Sequence, residues 1–233
     1  MNRFGGEHVE PFRELGVLAF TTGRGAGSFG TASDEPVRDV IARWNALRRF
    51  LGGGRLATAT QVHGRTIIEH EGTWRGWLRG EDADGHLAMV PGTGMAITVA
   101  DCVPVFLAHP SGATAALHSG WRGTAAAITA HAIARFASAG LAVADFRLHC
   151  GPAICGQCYE VSPDVYGQLT GRHVAAPTTV DLRALITDQA NALGVRHISV
   201  SPSCTRCDNN MYFSHRAGDG GRQLGVILAS RSV

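Results

Sequence analysis

At 233 residues, 45% of them hydrophobic and with a formal net charge of +2, the chain has enough apolar material for one sizeable core. Its scattered positive charge forms neither a nucleic-acid tail nor a membrane patch, and no apolar stretch approaches the roughly 20 residues of a membrane span. All 21 basic residues are arginine, which excludes Schiff-base, pyridoxal and P-loop lysine chemistry and leaves arginine, backbone N–H groups or metal to hold anions.

Residues 1–7 are too polar for a secretory leader, so a cytoplasmic setting is expected. A strand is predicted over 15–22. The loop after it carries Gly23, Gly25, Gly27 and Gly30, and either offers backbone N–H groups to an anion or simply turns. A helix follows, capped by Ser33 or Asp34, with Pro36 in its first turn. Val37, Val40, Ile41, Trp44 and Leu47 form its apolar stripe, and the glycines at 52–54 stop it. The apolar run 56–62 ends in Gln61-Val62-His63-Gly64. A segment with Trp74 and Trp77 leads on to Asp84. The run 95–107 contains Pro104, which predicts an edge strand, a bulge or two strands, with a kink at Asp101-Cys102. The run 113–117 ends at His118, and a turn with Gly120 and Gly123 opens a predicted helix over 124–139, stopped by Gly140. A strand over 146–150, a Ser162-Pro163 capped helix, a helix over 181–193 and strands over 197–201 and 223–229 complete the chain. Without strict βαβ spacing, repeats or linkers, the expected fold is α/β (α+β): a single domain over 1–233 with mixed β-sheets flanked by helices.

Polar chemistry at the ends of three of these apolar runs singles out His63, Cys102 and His118. Two imidazoles and one thiolate suit zinc, and three protein ligands leave a fourth tetrahedral position open, as catalytic sites do. None of the three pairs has metal-finger spacing, so the reading requires the fold to bring distant segments together. Taken singly, a cysteine in an apolar run also fits a packed core, and a histidine a satisfied polar group.

Six cysteines without a secretory leader are expected to be reduced thiols or metal ligands. Cys155-x-x-Cys158 and Cys204-x-x-Cys207 have the form of a structural zinc site. However, 45 residues separate the pairs, against about 15–20 in a typical four-cysteine site, and those residues include a full helix. The expectation is therefore one zinc per chain and no second metal site.

In order, the motifs Gln61-Val62-His63-Gly64, Ala83-Asp84, Ala100-Asp101-Cys102-Val103-Pro104, His118-Ser119-Gly120-Trp121-Arg122-Gly123-Thr124, Gly151-Pro152-Ala153-Ile154, Cys158-Tyr159-Glu160-Val161, Cys204-Thr205 and Phe213-Ser214-His215-Arg216 are similar to those of the YfiH/laccase-domain family. That family is also called polyphenol oxidase or peptidoglycan editing factor, and the resemblance runs from about residue 15 to the C-terminus. It implies His63, Cys102 and His118 as zinc ligands. It also implies purine nucleoside chemistry: phosphorolysis of adenosine, inosine and methylthioadenosine, and deamination of adenosine to inosine. Zinc would activate water for attack on the amino-bearing ring carbon. Asp101 or Asp84 would shuttle a proton or support a ligand. Arg122, Arg216 and Arg24 would bind substrate or phosphate, since arginine holds phosphate bidentately. The chain departs from the family pattern where Thr21-Thr22 is followed by Gly23-Arg24, and where paired cysteines are replaced by Gln157-Cys158.

Multicopper oxidation of phenols is disfavoured, because none of the eleven histidines forms a His-x-His pair; copper is the less favoured metal. A cell-wall amidase using the same zinc, or Cys102 as nucleophile beside His118, is the alternative reading. The expected partners are a purine nucleoside and phosphate, with no nucleic acid or membrane, and either a monomer or a homodimer.

Overall fold

Apolar residues on both faces of most strands require cover on both faces, and the architecture supplies it. The computed structural model describes residues 4–31 and 35–230. In chain order it forms β1 (Glu7–His8), β2 (Val17–Thr21), α1 (Val37–Phe50), β3 (Arg55–Ala59), β4 (Ile67–Glu69), β5 (Trp77–Gly80) and β6 (Gly85–Ala88). Next come β7 (Thr93–Val99), β8 (Val103–Ala108), β9 (Thr114–Ser119), α2 (Trp121–Ala125), α3 (Ile128–Ser138) and β10 (Arg147–Cys150). The chain ends with β11 (Glu160–Val161), α4 (Pro163–Thr170), β12 (Thr178–Thr179), α5 (Leu182–Ala192), β13 (His197–Val200) and β14 (Gln223–Ala229).

Two mixed six-stranded sheets result, ordered β1-β2-β14-β7-β3-β5 and β13-β10-β8-β9-β6-β4, with β11 and β12 as a small separate pair. The mixed α/β class read from the sequence holds. The sheets face each other. Side chains alternate along a strand, so Met95, Ile97 and Val99 of β7 meet Phe106, Ala108 and Ala116 of the second sheet in one cluster. On the opposite face of the first sheet, Phe20, Leu56, Leu224 and Val226 pack with Val40, Trp44 and Leu47 of α1. The outer face of the second sheet, Val105, Leu107, Leu117 and Leu148, packs with Ile128, Ile133 and Phe136 of α3 and Ile186 of α5. The layers therefore run helix, sheet, sheet, helices. Gly225 allows the sheets to approach: a Cβ there would lie 2.9 Å from Pro104 Cβ and 3.0 Å from the Phe106 ring.

The run 95–107 is two strands, β7 and β8, one of the alternatives that Pro104 implied, with the chain turning at Asp101-Cys102 between them. Pro104 is the second residue of β8, which lies between β10 and β9, and one lost N–H is tolerated there. The helix expected over 124–139 is two, because Ala127 adopts φ 57° and breaks the run between α2 and α3. The Ser33 or Asp34 cap lies outside the described residues, and Pro36 stands in the N-cap position of α1. The other helix starts are built as read. The Ser162 hydroxyl accepts from the Val165 N–H at 3.4 Å, and the Asp181 carboxylate from the Arg183 N–H at 2.9 Å. Among the described residues no helix is long and apolar enough to cross a membrane.

Candidate metal centre and cleft

His118 is on β9 with the parity of Ala116, and so continues the inter-sheet face at the strand's end. Cys102 lies in the crossing from β7 to β8, and His63 in the turn after β3. The fold thus brings together three residues from distant segments: their ligand atoms lie within 4.8 Å of one another, and the two rings meet edge-on at 4.8 Å between centroids. A Cβ on Gly120 would stand 2.8 Å from the Cys102 sulfur, which accounts for glycine at that position.

Asp84 organises the cluster. Its side chain is fully buried, and its Oδ1 accepts from the His63 N–H at 2.9 Å and pairs with His118 Nδ1 at 2.8 Å. Oδ2 accepts from the Val62 and Gly64 N–H groups at 3.2 and 2.6 Å. Four donors converge on one carboxylate and hold His63 at φ 59°, a left-handed conformation that costs a non-glycine residue on the order of 1–3 kcal/mol. With Nδ1–H committed to Asp84, His118 keeps Nε2 as its lone-pair nitrogen. Gln61 braces the same turn: its side chain accepts from the Thr98 N–H at 2.7 Å and donates to the Thr98 carbonyl at 2.8 Å.

The electrostatics suit a cation. Burial pushes the Cys102 thiol up, but the His118 charge and hydrogen bonds from His118 and His63 outweigh it and bring the thiol to about 6. Burial pushes the His118 imidazole down, yet the Cys102 charge and the Asp84 hydrogen bond lift it to about 9. Burial also works to raise the Asp84 carboxyl, and the His118 ring and the Gly64 N–H more than offset it. Without a metal the arrangement favours a thiolate–imidazolium pair. The donor set of one sulfur and two imidazoles, with a carboxylate behind one imidazole, fits a zinc-type ion with one position left open.

All three residues line a cleft of ≈ 420 Å³. Phe29 and Trp44 supply aromatic wall, and Gln61, Arg79, His215 and Arg222 supply polar groups. Of these, Gln61 and His215 stand inside motifs already recognised, whereas nothing local in the sequence marks Arg79 or Arg222.

The remaining expected site residues are distributed differently. Asp101, at φ 81°, has its carboxylate taken by the Thr205 hydroxyl and the Arg216 N–H, each at 2.6 Å. With Asp84 also fully engaged, neither expected proton carrier has a free carboxylate, and both act as anchors. Arg24 is engaged within the chain: it pairs with Asp219 at 2.6 Å, donates to the Asn209 and Tyr212 carbonyls and stacks on Phe213. Arg122 is exposed over the Trp121 ring, and Arg216 is exposed over the Tyr159 ring. The Tyr159 hydroxyl feels them both. Burial first, and then the Cys102 charge, push it to about 12 against the opposing Arg216 and Arg122.

The wide spacing of the two Cys-x-x-Cys pairs along the chain, which weighed against a second metal site, does not separate them in space. β10 and β13 are parallel neighbours, so the turns that follow them run side by side; Ala153 bridges to Cys204, and the ligand atoms of Cys155, Cys158, Cys204 and Cys207 all lie within 4.8 Å of one another.

The chain matches the family model described as multi-copper polyphenol oxidoreductase laccase over residues 18–230. It is 30% identical to a purine nucleoside phosphorylase of Streptomyces griseus over 97% of this chain and 91% of that protein. It is 36% identical to a purine nucleoside phosphorylase of Mycobacterium tuberculosis over 83% of this chain and 80% of that protein. The crystal structure of YlmD from Geobacillus stearothermophilus superimposes with a TM-score of 0.86 at 28% identity, covering 93% of each chain.

Proposed function

Because this chain belongs to the family described as multi-copper polyphenol oxidoreductase laccase, several of whose members carry the name purine nucleoside phosphorylase, we propose that it is a zinc-dependent purine nucleoside phosphorylase. The observation that carries the reading is the position of the His63–Cys102–His118 cluster on the wall of a ≈ 420 Å³ cleft, within the about 300–1,000 Å³ range of small-molecule sites. Adenosine, inosine and methylthioadenosine are the proposed nucleosides, and deamination of adenosine is a proposed second activity.

A zinc ion held by His63, Cys102 and His118 would supply Lewis-acid polarisation of a substrate group or of water. The chain's own groups supply the rest. Trp44 and Phe29 give a purine base an apolar wall. Arg122 and Arg216, with no carboxylate partner among the described residues, hold the attacking phosphate beside Tyr159. Phosphorolysis forms a bond from a phosphate oxygen to the sugar carbon as the carbon–nitrogen bond breaks, and the departing purine must take up a proton. His215, an exposed imidazole on the cleft wall, is placed to give that proton to a ring nitrogen. Asp84 keeps His118 in one tautomer, and Asp101 fixes the turn that presents Cys102.

Purified protein given adenosine and phosphate is expected to yield adenine and ribose 1-phosphate, with inosine as the deamination product, and Cys102→Ala is expected to abolish all three. A folded, metal-loaded protein that turns over no purine nucleoside would refute the assignment.

A further inference from the structure

Outside the cleft, a second group of ligating side chains is closed on itself. Cys155 and Cys158 follow β10, and Cys204 and Cys207 follow β13. The Cys158 and Cys207 sulfurs are 3.5 Å apart, and all four lie within 4.8 Å of one another as free thiols. A metal–sulfur bond of about 2.3 Å sets a tetrahedral sulfur–sulfur edge of about 3.8 Å, so small side-chain rotations suffice to complete a tetrahedron. An iron–sulfur cluster, which interposes several irons, needs the sulfurs spread wider than this. The backbone already treats one sulfur as an anion: the Cys155 and Cys207 N–H groups point at Cys204 Sγ at 3.3 and 3.5 Å. Access is graded, from buried Cys204 through half-buried Cys155 and Cys158 to exposed Cys207, so an ion can enter from the surface.

We propose that Cys155, Cys158, Cys204 and Cys207 bind one zinc ion in a closed four-thiolate site, separate from the His63–Cys102–His118 cluster. All four positions are filled by protein, so the role is structural. What it holds is specific. Thr205, inside the second pair, donates to Asp101 Oδ1, and the N–H of Ile154, next to Cys155, donates to the Asp101 carbonyl at 3.1 Å. The ion clamps together the two segments that grip the left-handed Asp101, and through it the turn that carries Cys102.

Metal analysis of the full chain, purified with reductant, separates the two sites. Wild type is expected to carry two zinc ions per chain, and Cys102→Ala and the double variant Cys155→Ser/Cys207→Ser one each. Cobalt loaded into Cys102→Ala should give the intense thiolate-to-cobalt absorption of a four-sulfur site, and adding Cys155→Ser/Cys207→Ser should erase it. Loss of this clamp should lower the melting midpoint by on the order of 10 °C. If the double variant does not fold, Cys207→Ser alone, at the exposed position, provides the same comparison. One zinc per wild-type chain with none in Cys102→Ala, or two disulfides among the four cysteines in the purified protein, would overturn the proposal. Because these readouts do not involve nucleosides, their failure is distinguishable from failure of the phosphorylase reading.

Discussion

Asp84→Asn is nearly isosteric, yet it should disable the metal centre. Both carboxylate oxygens accept two hydrogen bonds, Oδ1 from the His63 N–H and His118 Nδ1, Oδ2 from the Val62 and Gly64 N–H groups. An amide replaces one acceptor with a donor. If its nitrogen takes the Oδ2 place, the Val62 and Gly64 N–H groups face it without an acceptor. If it takes the Oδ1 place, the His63 N–H is orphaned and His118 must accept at Nδ1, which puts the proton on Nε2 and blocks the ligating nitrogen. In the first orientation two buried donors are lost at about 1–3 kcal/mol each, or about 2–6 kcal/mol together. In the second, one donor and the correct tautomer are lost. Loss of such a supporting carboxylate also lowers metal affinity about 10–100-fold. Zinc affinity measured against a competing chelator at low temperature, with circular dichroism to verify folding, reads the two effects separately. Equal affinity and an equal denaturation midpoint for Asp84→Asn and wild type would refute the carboxylate's organising role.

Arg122→Ala is expected to raise the KM for phosphate about 10–100-fold, the worth of a charge-assisted hydrogen bond, while sparing deamination. Arg79→Ala, on the cleft wall, is the control, and the reverse pattern would move the phosphate to Arg79. His86 is fully buried against His70, and burial first, then the His70 charge, lower it to about 3. Its unfolded form titrates near 6.5, so below that pH the unfolded chain binds a proton that the folded chain refuses, and stability falls with falling pH. Between pH 6.5 and 5 the loss should be about 1.5 kcal/mol; denaturant titrations showing the same loss in His86→Asn would rule this origin out.

Local signals were read well from the sequence, and long-range ones unevenly. The helix over 181–193 and the strand over 223–229 rest on patterns contained within a few residues, and both appear close to the bounds read. The break at Ala127 was illegible, because an alanine-rich run has high helix propensity and tertiary packing, not propensity, forces that left-handed residue. The pairing of Arg24 with Asp219 was not legible, because the two stand far apart along the chain. The cysteine pairs were judged on linear spacing, although a parallel strand pair makes residues after β10 and β13 neighbours whatever lies between them. His63, Cys102 and His118 converge because each lies at or just beyond the end of a strand where the two sheets meet, a regularity the sequence displays as polar residues at the ends of apolar runs.

The three residues of the cleft cluster belong to different parts of that stack: His63 follows a strand of the first sheet, His118 ends a strand of the second, and Cys102 sits where the chain passes between them. An ion bound there bridges the seam. Neither sheet alone presents all three donors, so the ion finds its full ligand set only after the sheets have docked. Such late-formed contacts act on the escape from the native state rather than on its formation. Metal at this seam would accordingly slow unfolding while leaving the refolding rate nearly unchanged, and the loaded chain would gain persistence in time beyond what its equilibrium stability alone conveys.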